Sequence, residues 1–348
     1  MFKLRRVRKI SAALSLLALA GVSLVACSSN AGPQSAAASD CERPASNDAL
    51  SSVVDVPTDG DMPNSVDVNL PEGQDYTVDQ PIVSDIVKGD GDVLTESTQL
   101  VELDVSFYSP VELSALQVGV GDRLSGVSTT GQGSDGTATR SQLTEDLVLE
   151  QYPGLEGVLE CATAGSRIVA GLPLSSLGEE VAAQYVQAGI PEDGALIAVI
   201  DLNEVYPGAA WGSAQYNAST NLPSVVRGPD GRPGITVPDK DAPSDLKVQT
   251  LLKGDGKVIG EDDAAIVRYT GVLWETGEVF DSSWESGAAL VLNQPMVEGF
   301  TQAVQGQTVG SQVLAVIPPD LGYGDQESGT IPANSTLVFV VDIVGIQE

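Results

Sequence analysis

Apolar and polar positions are most regularly ordered near the C-terminus. There Leu337, Phe339, Val341 and Ile343 interleave with Val338, Val340, Asp342 and Val344, a run apolar on both faces that predicts a central strand covered from both sides. Ala265–Tyr269 and Gln312–Ile317 are shorter apolar runs bounded by turn residues and predict further strands. Val297, Phe300 and Val304 recur at i, i+3 and i+7, the single stripe of a short helix. Many strands and few helical patterns predict an α+β class in which antiparallel sheet wraps a helix. The N-terminus follows another rule: Ile10–Val25 is a predominantly apolar stretch and comes after Lys3, Arg5, Arg6, Arg8 and Lys9. That is the layout of an export signal, and its apolar part is marginal for a spanning helix.

The pattern repeats. Lys88-Gly89-Asp90-Gly91-Asp92-Val93-Leu94 returns as Lys253-Gly254-Asp255-Gly256-Lys257-Val258-Ile259, 165 residues later. Pro153–Val158 loosely mirrors Val297–Val304, and a Gly-Ser pair follows each, Gly165-Ser166 and Gly310-Ser311. Ile190–Asp201 then corresponds to Ile331–Asp342. Because the order is kept, two homologous domains are expected, at 81–205 and 246–348. The 206–245 stretch, with Gly228-Pro229-Asp230-Gly231-Arg232-Pro233-Gly234, reads as a Pro/Gly-rich linker in which Trp211 and Tyr216 could pack on a neighbour. Residues 1–26 read as a lipoprotein signal peptide and 27–80 as a flexible tether and N-terminal segment.

Leu24-Val25-Ala26-Cys27 resembles the bacterial lipobox, whose cysteine carries diacylglycerol; the alternative is an ordinary signal cut after Ala26. Lipidation at Cys27 implies an extracytoplasmic protein held to the cell membrane by that anchor. Removing residues 1–26 takes away five basic residues and no acidic one, moving the formal charge from -31 to -36. Such a surface excludes nucleic acid as a partner and repels anionic headgroups. Only Cys41 and Cys161 then remain. Export permits a disulfide between them, which would staple the N-terminal segment to the first repeat by about 3–5 kcal/mol in the chain-entropy picture. Two free thiols are the alternative. The cysteine spacing offers no metal site.

The candidate chemistry lies in the second repeat. Tyr269-Thr270-Gly271, Phe280-Asp281-Ser282-Ser283, Tyr323-Gly324, Ile331-Pro332 and Thr336-Leu337-Val338-Phe339 contain no strong nucleophile, and the chain has no histidine. Aromatic and aliphatic residues of this kind line an apolar pocket, so the chemistry indicated is bond rotation rather than cleavage. In these motifs and their order, residues 265–346 resemble the FKBP family of peptidyl-prolyl cis-trans isomerases. The resemblance implies two FKBP-like domains, each a curved antiparallel β-sheet wrapped around a short α-helix. It also implies a proline pocket with Tyr269, Phe280, Asp281, Tyr323 and Phe339 as catalytic residues and Leu290, Met296, Val297, Phe300 and Ile331 as substrate-binding ones. The Tyr323 hydroxyl and the Ile331 amide are expected to donate to peptide carbonyls. Asp281 is either a hydrogen-bonding partner of Tyr269 or a turn-stabilising aspartate. No cofactor or metal is implied. The expected partners are unfolded or exported proline-containing polypeptides, with macrolide immunophilin ligands as further candidate occupants.

This chain departs from the family's pattern at Phe300, where most active members have tryptophan, at Leu290, where another aromatic is usual, and at Ser286, where some members supply an arginine. The first repeat departs much further. The 165-residue offset puts Asp104 opposite Tyr269, Leu174-Ser175-Ser176-Leu177-Gly178 replaces Tyr-Gly, and Ala198 replaces Phe339. An inactive first copy is expected. The rival reading from another class is a non-catalytic, client-binding holdase lipoprotein. A solute-binding lipoprotein fits poorly, because few helical patterns are available to build βαβ lobes.

Overall fold

The computed structural model describes residues 41–347 apart from 71–75, 114–116, 119, 129, 133–137, 141, 218–220 and 294–295. Cys27 and the signal-peptide reading lie outside the described residues. Among those described, no helix is long and apolar enough to cross a membrane.

The first antiparallel sheet contains β1 (Ile82–Val87), β2 (Leu100–Tyr108), β3 (Arg123–Ser128), β4 (Leu143–Thr144), β5 (Ser166–Pro173) and β6 (Ala195–Tyr206). Its order is β1-β5-β6-β2-β3, with β4 also paired to β2. The second contains β7 (Ser213–Ala214), β8 (Lys247–Lys253), β9 (Ala264–Leu273), β10 (Val279–Ser282), β11 (Leu290–Val291), β12 (Gln312–Ile317) and β13 (Leu337–Gln347). Its order is β7-β8-β12-β13-β9-β10, with β11 paired to β9. Apart from β7 the two orders coincide, and so do their irregularities. The register between β1 and β5 shifts at Asp85/Val87, and that between β8 and β12 at Thr250/Leu252. Shifts at Leu202/Glu204 and Phe107/Tyr108 likewise match those at Ile266/Val267 and Gly271/Val272. Bulges are specific local features, so their coincidence aligns the two sheets residue by residue.

Two-sided burial explains the apolar run in β13. Leu337, Phe339, Val341 and Ile343 pack toward the helix Glu298–Val304, while Val338 and Val340 belong to a separate cluster with Val272, Trp274, Leu314 and Val316. The 206–245 stretch covers that outer cluster. A hairpin, Ser224–Arg227 with Pro233–Thr236, brings Val225 and Ile235 onto it beside Leu222, Val237 and Ala242. Its amides and carbonyls are tied in as well: the Ala210 N–H donates to the buried Asp342 (2.9 Å) and Trp274 Nε1 donates to the Lys240 carbonyl (2.9 Å). This stretch is therefore part of the second sheet's packing and not a free linker.

The first sheet is covered in the same way by part of the segment read as a tether. The helix α1 (Asp48–Val53) is capped by Asn47, and Leu50, Val54, Val56, Val66 and Tyr76 pack against Tyr108, Val169, Ile197 and Val199. Arg167 reaches from β5 to Asp201 (2.6 Å) and to the carbonyls of Pro57 and Gly60 (2.8 Å each). Cys41 is disulfide-bonded to Cys161, and Arg43 donates to Asp85 and to the carbonyl of Glu160. The physical reason is common to both corrections: a sheet of Val and Ile needs a second layer, and scattered apolar residues in a polar stretch supply it without any readable period.

Helices differ between the halves. Besides α2 (Glu145–Gln151), the first half inserts α3 (Glu179–Ala188) between β5 and β6; Glu179 and Glu180 favour its N-terminus and left-handed Gly189 ends it. The second half has a single helical turn, Ser283–Ser286, and α4 (Glu298–Val304). The sheets meet where Thr144 N–H donates to Gly287 (2.8 Å) and Ala289 N–H to Gln142 (2.9 Å), with Leu100 packed beside Ile266 and Val344.

Candidate active site

Strand alternation assembles the site. Val267, Tyr269 and Leu273 of β9 share the inner core with Phe339 and Val341 of β13, while Ile266 and Val272 point elsewhere. Short α4 contributes Phe300, which is fully buried. The rings meet edge to face: Phe300–Phe339 at 5.0 Å and 86°, Phe280–Phe339 at 5.4 Å and 86°, Tyr269–Phe300 at 6.0 Å and 80°. Such pairs add roughly 0.5–1.5 kcal/mol each beyond burial.

Gly271 makes this cluster possible. A Cβ there would lie 2.5 Å from Cζ of Phe280 and 2.9 Å from Cε1 of Phe339, so the rings occupy the space a side chain would take. Ser283, the last residue of the Phe280–Ser283 motif, accepts from the Tyr269 backbone N–H (2.9 Å) and holds the turn after β10 against β9.

The Tyr269 hydroxyl donates to the carboxylate of Asp281. Burial, followed by the bond and charge of Asp281, pushes the phenol above its ordinary value, so it remains a protonated donor. Asp281 is exposed. Phe280, Leu290, Met296 and Val297 are half-buried, and Tyr323 is 40% exposed. Phe300 and Ile331 thus lie inside the cluster and the others toward its surface. Ser286, where an arginine partner for Asp281 is absent, donates instead to the Ser283 carbonyl (3.2 Å).

One expectation changes. The Ile331 amide donates to the Ser328 carbonyl (2.9 Å), and Ser328 N–H returns a bond to Ile331 (3.0 Å). The tight turn takes up the donor, leaving the Tyr323 hydroxyl as the freer group at the rim. Behind the sheet, Arg268 is 4% exposed and stacks 3.9 Å over Trp284. Sequence reasoning passed over it; a lone arginine in a strand otherwise apolar was the available signal.

The aligned bulges show what stands at the same register in the first sheet. Phe339 pairs with Gly271, and Ala198 pairs with Phe107. Tyr269 therefore corresponds to Val105; Asp104 lies one position away and accepts from Asn203 (3.0 Å). Phe107 is buried and stacks on Tyr152 at 5.9 Å and 29°. Above them Tyr185 of α3 hydrogen-bonds Ser125 of β3 (3.2 Å), across the strand equivalent to the one carrying Phe280 and Asp281.

Residues 256–344 match the family described as FKBP-type peptidyl-prolyl cis-trans isomerase. Over 120 residues the chain is 36% identical to an FK506-binding protein of Streptomyces anulatus, covering 33% of this chain and 97% of that one. The chain belongs to the FKBP-type peptidyl-prolyl cis-trans isomerases. It is also 39% identical over 111 residues to the FKBP-type peptidyl-prolyl cis-trans isomerase FkpA of Aeromonas hydrophila, covering 31% of this chain and 41% of FkpA. Among solved structures it is similar to FkpA from Escherichia coli, with 27% identity and a TM-score of 0.29 over 37% of this chain and 53% of that one. The FKBP match takes in all the ring residues of the pocket, and as an FKBP the protein is a prolyl isomerase.

Proposed function

We propose that this FKBP isomerises X-Pro bonds at one pocket, bounded by Tyr269, Phe280, Phe300 and Phe339, and that the first half, 81–205, is a degenerate FKBP-like domain without activity. The observation that carries this is the exchange at a single register. Gly271 leaves room for two rings at the mouth of a cage, whereas Phe107 fills the matching space and Tyr152 closes over it.

Amide rotation is slow because twisting destroys conjugation, with a barrier of about 18–20 kcal/mol. The twisted amide has less charge separation than the planar one and loses less on leaving water, so an apolar cage favours it. Proline's ring displaces water against Phe280, Phe300 and Phe339, and the Tyr323 hydroxyl holds a flanking carbonyl. The Tyr269–Asp281 bond keeps the cage wall in place. A preference of about 5.4 kcal/mol for the twisted form accelerates rotation roughly 10⁴-fold. No proton or electron is transferred.

The clients are exported polypeptides, and the protein acts outside the cytoplasm from a lipidated Cys27. Support for this comes from the basic and apolar N-terminal run and its Leu24–Cys27 motif. A protease-coupled isomerisation assay on the full chain tests the single pocket: Phe280→Ala should reduce the rate to background. A substantial residual rate, removed only by changes near Phe107, would assign turnover to the first half. Fatty-acid labelling that survives Cys27→Ala would reject the anchor.

A further inference from the structure

One stretch of backbone belongs to both sheets, and it ends against the ring cluster. Between the Ser283–Ser286 turn and β11, Gly287–Ala289 pairs with the first half. The Thr144 N–H donates to the Gly287 carbonyl (2.8 Å), the Ala289 N–H donates to the Gln142 carbonyl (2.9 Å), and Leu143 faces Ala288 between them. β4 is thereby held on both edges, since β2 pairs with it at Leu100 opposite Thr144 and Val101 opposite Leu143. One residue later the same backbone is β11, where Leu290 lies opposite Val267 of β9 and packs on the cluster that holds Tyr269, Phe300 and Phe339. Side chains close the joint. A Cβ on Gly287, whose φ is +68°, would lie 3.1 Å from Thr144 Oγ1 and 3.3 Å from Leu147 Cβ, so the start of α2 sits directly on this backbone. Leu147 is half-buried yet stands outside the first half's hydrophobic cluster. Beside it Leu100 is buried with Ile266 and Val344, and Ala289 and Val291 pack on them. The Ala288 N–H stays within its own turn, on Ser286 Oγ (3.4 Å), so the bonds that reach across space from this stretch go to the first half.

We infer that the first half is a positioning element for the pocket of the second, and that Thr144 and Leu147 are positioning residues that act through Leu290. This rests on the single-pocket reading above. A short stretch that follows a left-handed glycine has many conformations open to it, and fixing one of them costs entropy. β4 offers a preformed edge, so the stretch is already ordered when a client arrives. Leu290 then stands at one depth against the rings, while the front of the same segment is fixed by the bond from the Tyr269 amide to Ser283 and by the stack of Arg268 on Trp284. A misplacement of about 1 Å can lower turnover by about 10²-fold, so release of the β4 edge should be felt at the reacting bond. The first half needs no proline pocket of its own for this. It needs only β2, β4 and the first turn of α2.

The test is the protease-coupled assay on full-chain variants. Thr144→Pro deletes the N–H that donates to Gly287 and puts a ring carbon in its place; Thr144 already has φ -65° and ψ 147°, so proline suits the backbone. Thr144→Ala loses the same hydroxyl cap on the Leu147 amide (3.4 Å) but keeps the N–H. Leu147→Asp loosens the joint from a side chain outside the first half's cluster. We expect kcat/KM to fall about tenfold for Thr144→Pro and for Leu147→Asp, and by no more than about twofold for Thr144→Ala. Trp211, Trp274 and Trp284 all lie in the second half, so tryptophan fluorescence shows whether that half stays folded in each variant. In a Leu290→Ala background Thr144→Pro should cost about twofold or less, because the residue it acts through is gone. Rates within about twofold of the parent for both Thr144→Pro and Leu147→Asp, or an equal loss in both backgrounds, would overturn the inference. The pocket reading would still stand if Phe280→Ala abolished turnover. A parent without turnover, or a Phe280→Ala variant that keeps it, would remove the pocket reading and this inference with it.

Discussion

Adding one methyl group at Gly271 should separate the roles of the cage more sharply than removing a ring. Gly271 sits in β9, beside the register shift with β10, and has no positive φ, so alanine is compatible with its backbone there. The added Cβ would fall 2.5 Å and 2.8 Å from two atoms of Phe280 and 2.9 Å from Phe339. Ordinary carbon contacts are about 3.5–4.0 Å, so the rings must yield by about 1 Å. Phe339 is 4% exposed and held by three ring neighbours, whereas Phe280 is only half-buried and contacts one. Phe280 therefore swings outward. Overpacking of this kind costs about 1–3 kcal/mol, and the open side of Phe280 places the loss near the lower end. A pocket wall displaced by about 1 Å can lower turnover by about 10²-fold. Gly271→Ala should thus lose roughly two decades of kcat/KM in the coupled assay while its urea midpoint shifts modestly. A variant with kcat/KM within about twofold of the parent would refute the space argument.

Further outcomes follow from the same geometry. Burial, reinforced by Asp281, raises the Tyr269 phenol above 10.0, so the stabilisation tied to its proton is complete below pH 10 and is lost only as the pH rises further. Isomerase rate should accordingly be flat from about pH 6 to 9, and a decline with an apparent value near 8 would contradict a buried neutral donor. Tyr323→Phe should lower kcat/KM while changing stability by less than about 0.5 kcal/mol, because the side chain is 40% exposed; a larger drop in the unfolding midpoint would make it a packing residue. The disulfide spans a separation of 120 residues, so Cys41→Ser with Cys161→Ser should lose about 4–5 kcal/mol in the chain-entropy picture. A loss below about 1 kcal/mol in urea unfolding would mean that packing alone holds the segment after Cys41.

Much of the second half was legible because its periods are clean. The double apolar face of β13 and the i, i+3, i+7 stripe of α4 survive as a buried strand and a buried-face helix. The ring set was legible too, since the residues of an apolar cage carry their chemistry in their type. Register in the first half was not. The repeat motif fixes an offset of 165 at Lys88, but the sheet aligns Tyr269 with Val105, one residue fewer. The difference arises before β2. There Gln99 Oε1 accepts from the Thr95 and Glu96 amides (2.7 and 2.9 Å) in a turn of its own, while Asp263 closes the counterpart by accepting from Gly260 (2.9 Å). A linear offset cannot see such a change. Nor can any pattern reveal that the Ile331 amide is already taken by Ser328, since that bond depends on how tightly one turn closes.

The outer layer of the second sheet has a practical consequence for dissecting the molecule. A fragment begun at residue 246 keeps the ring cage but strips Leu222, Val225, Ile235 and Val237 from Val272, Trp274, Leu314, Val316, Val338 and Val340. It also deprives buried Asp342 of the Ala210 amide. A contiguous apolar face left bare in this way invites self-association, and aggregates would be mistaken for a dead enzyme. Keeping this cover means beginning a fragment no later than Gly208, whose carbonyl receives Arg268, well ahead of the family match at 256–344.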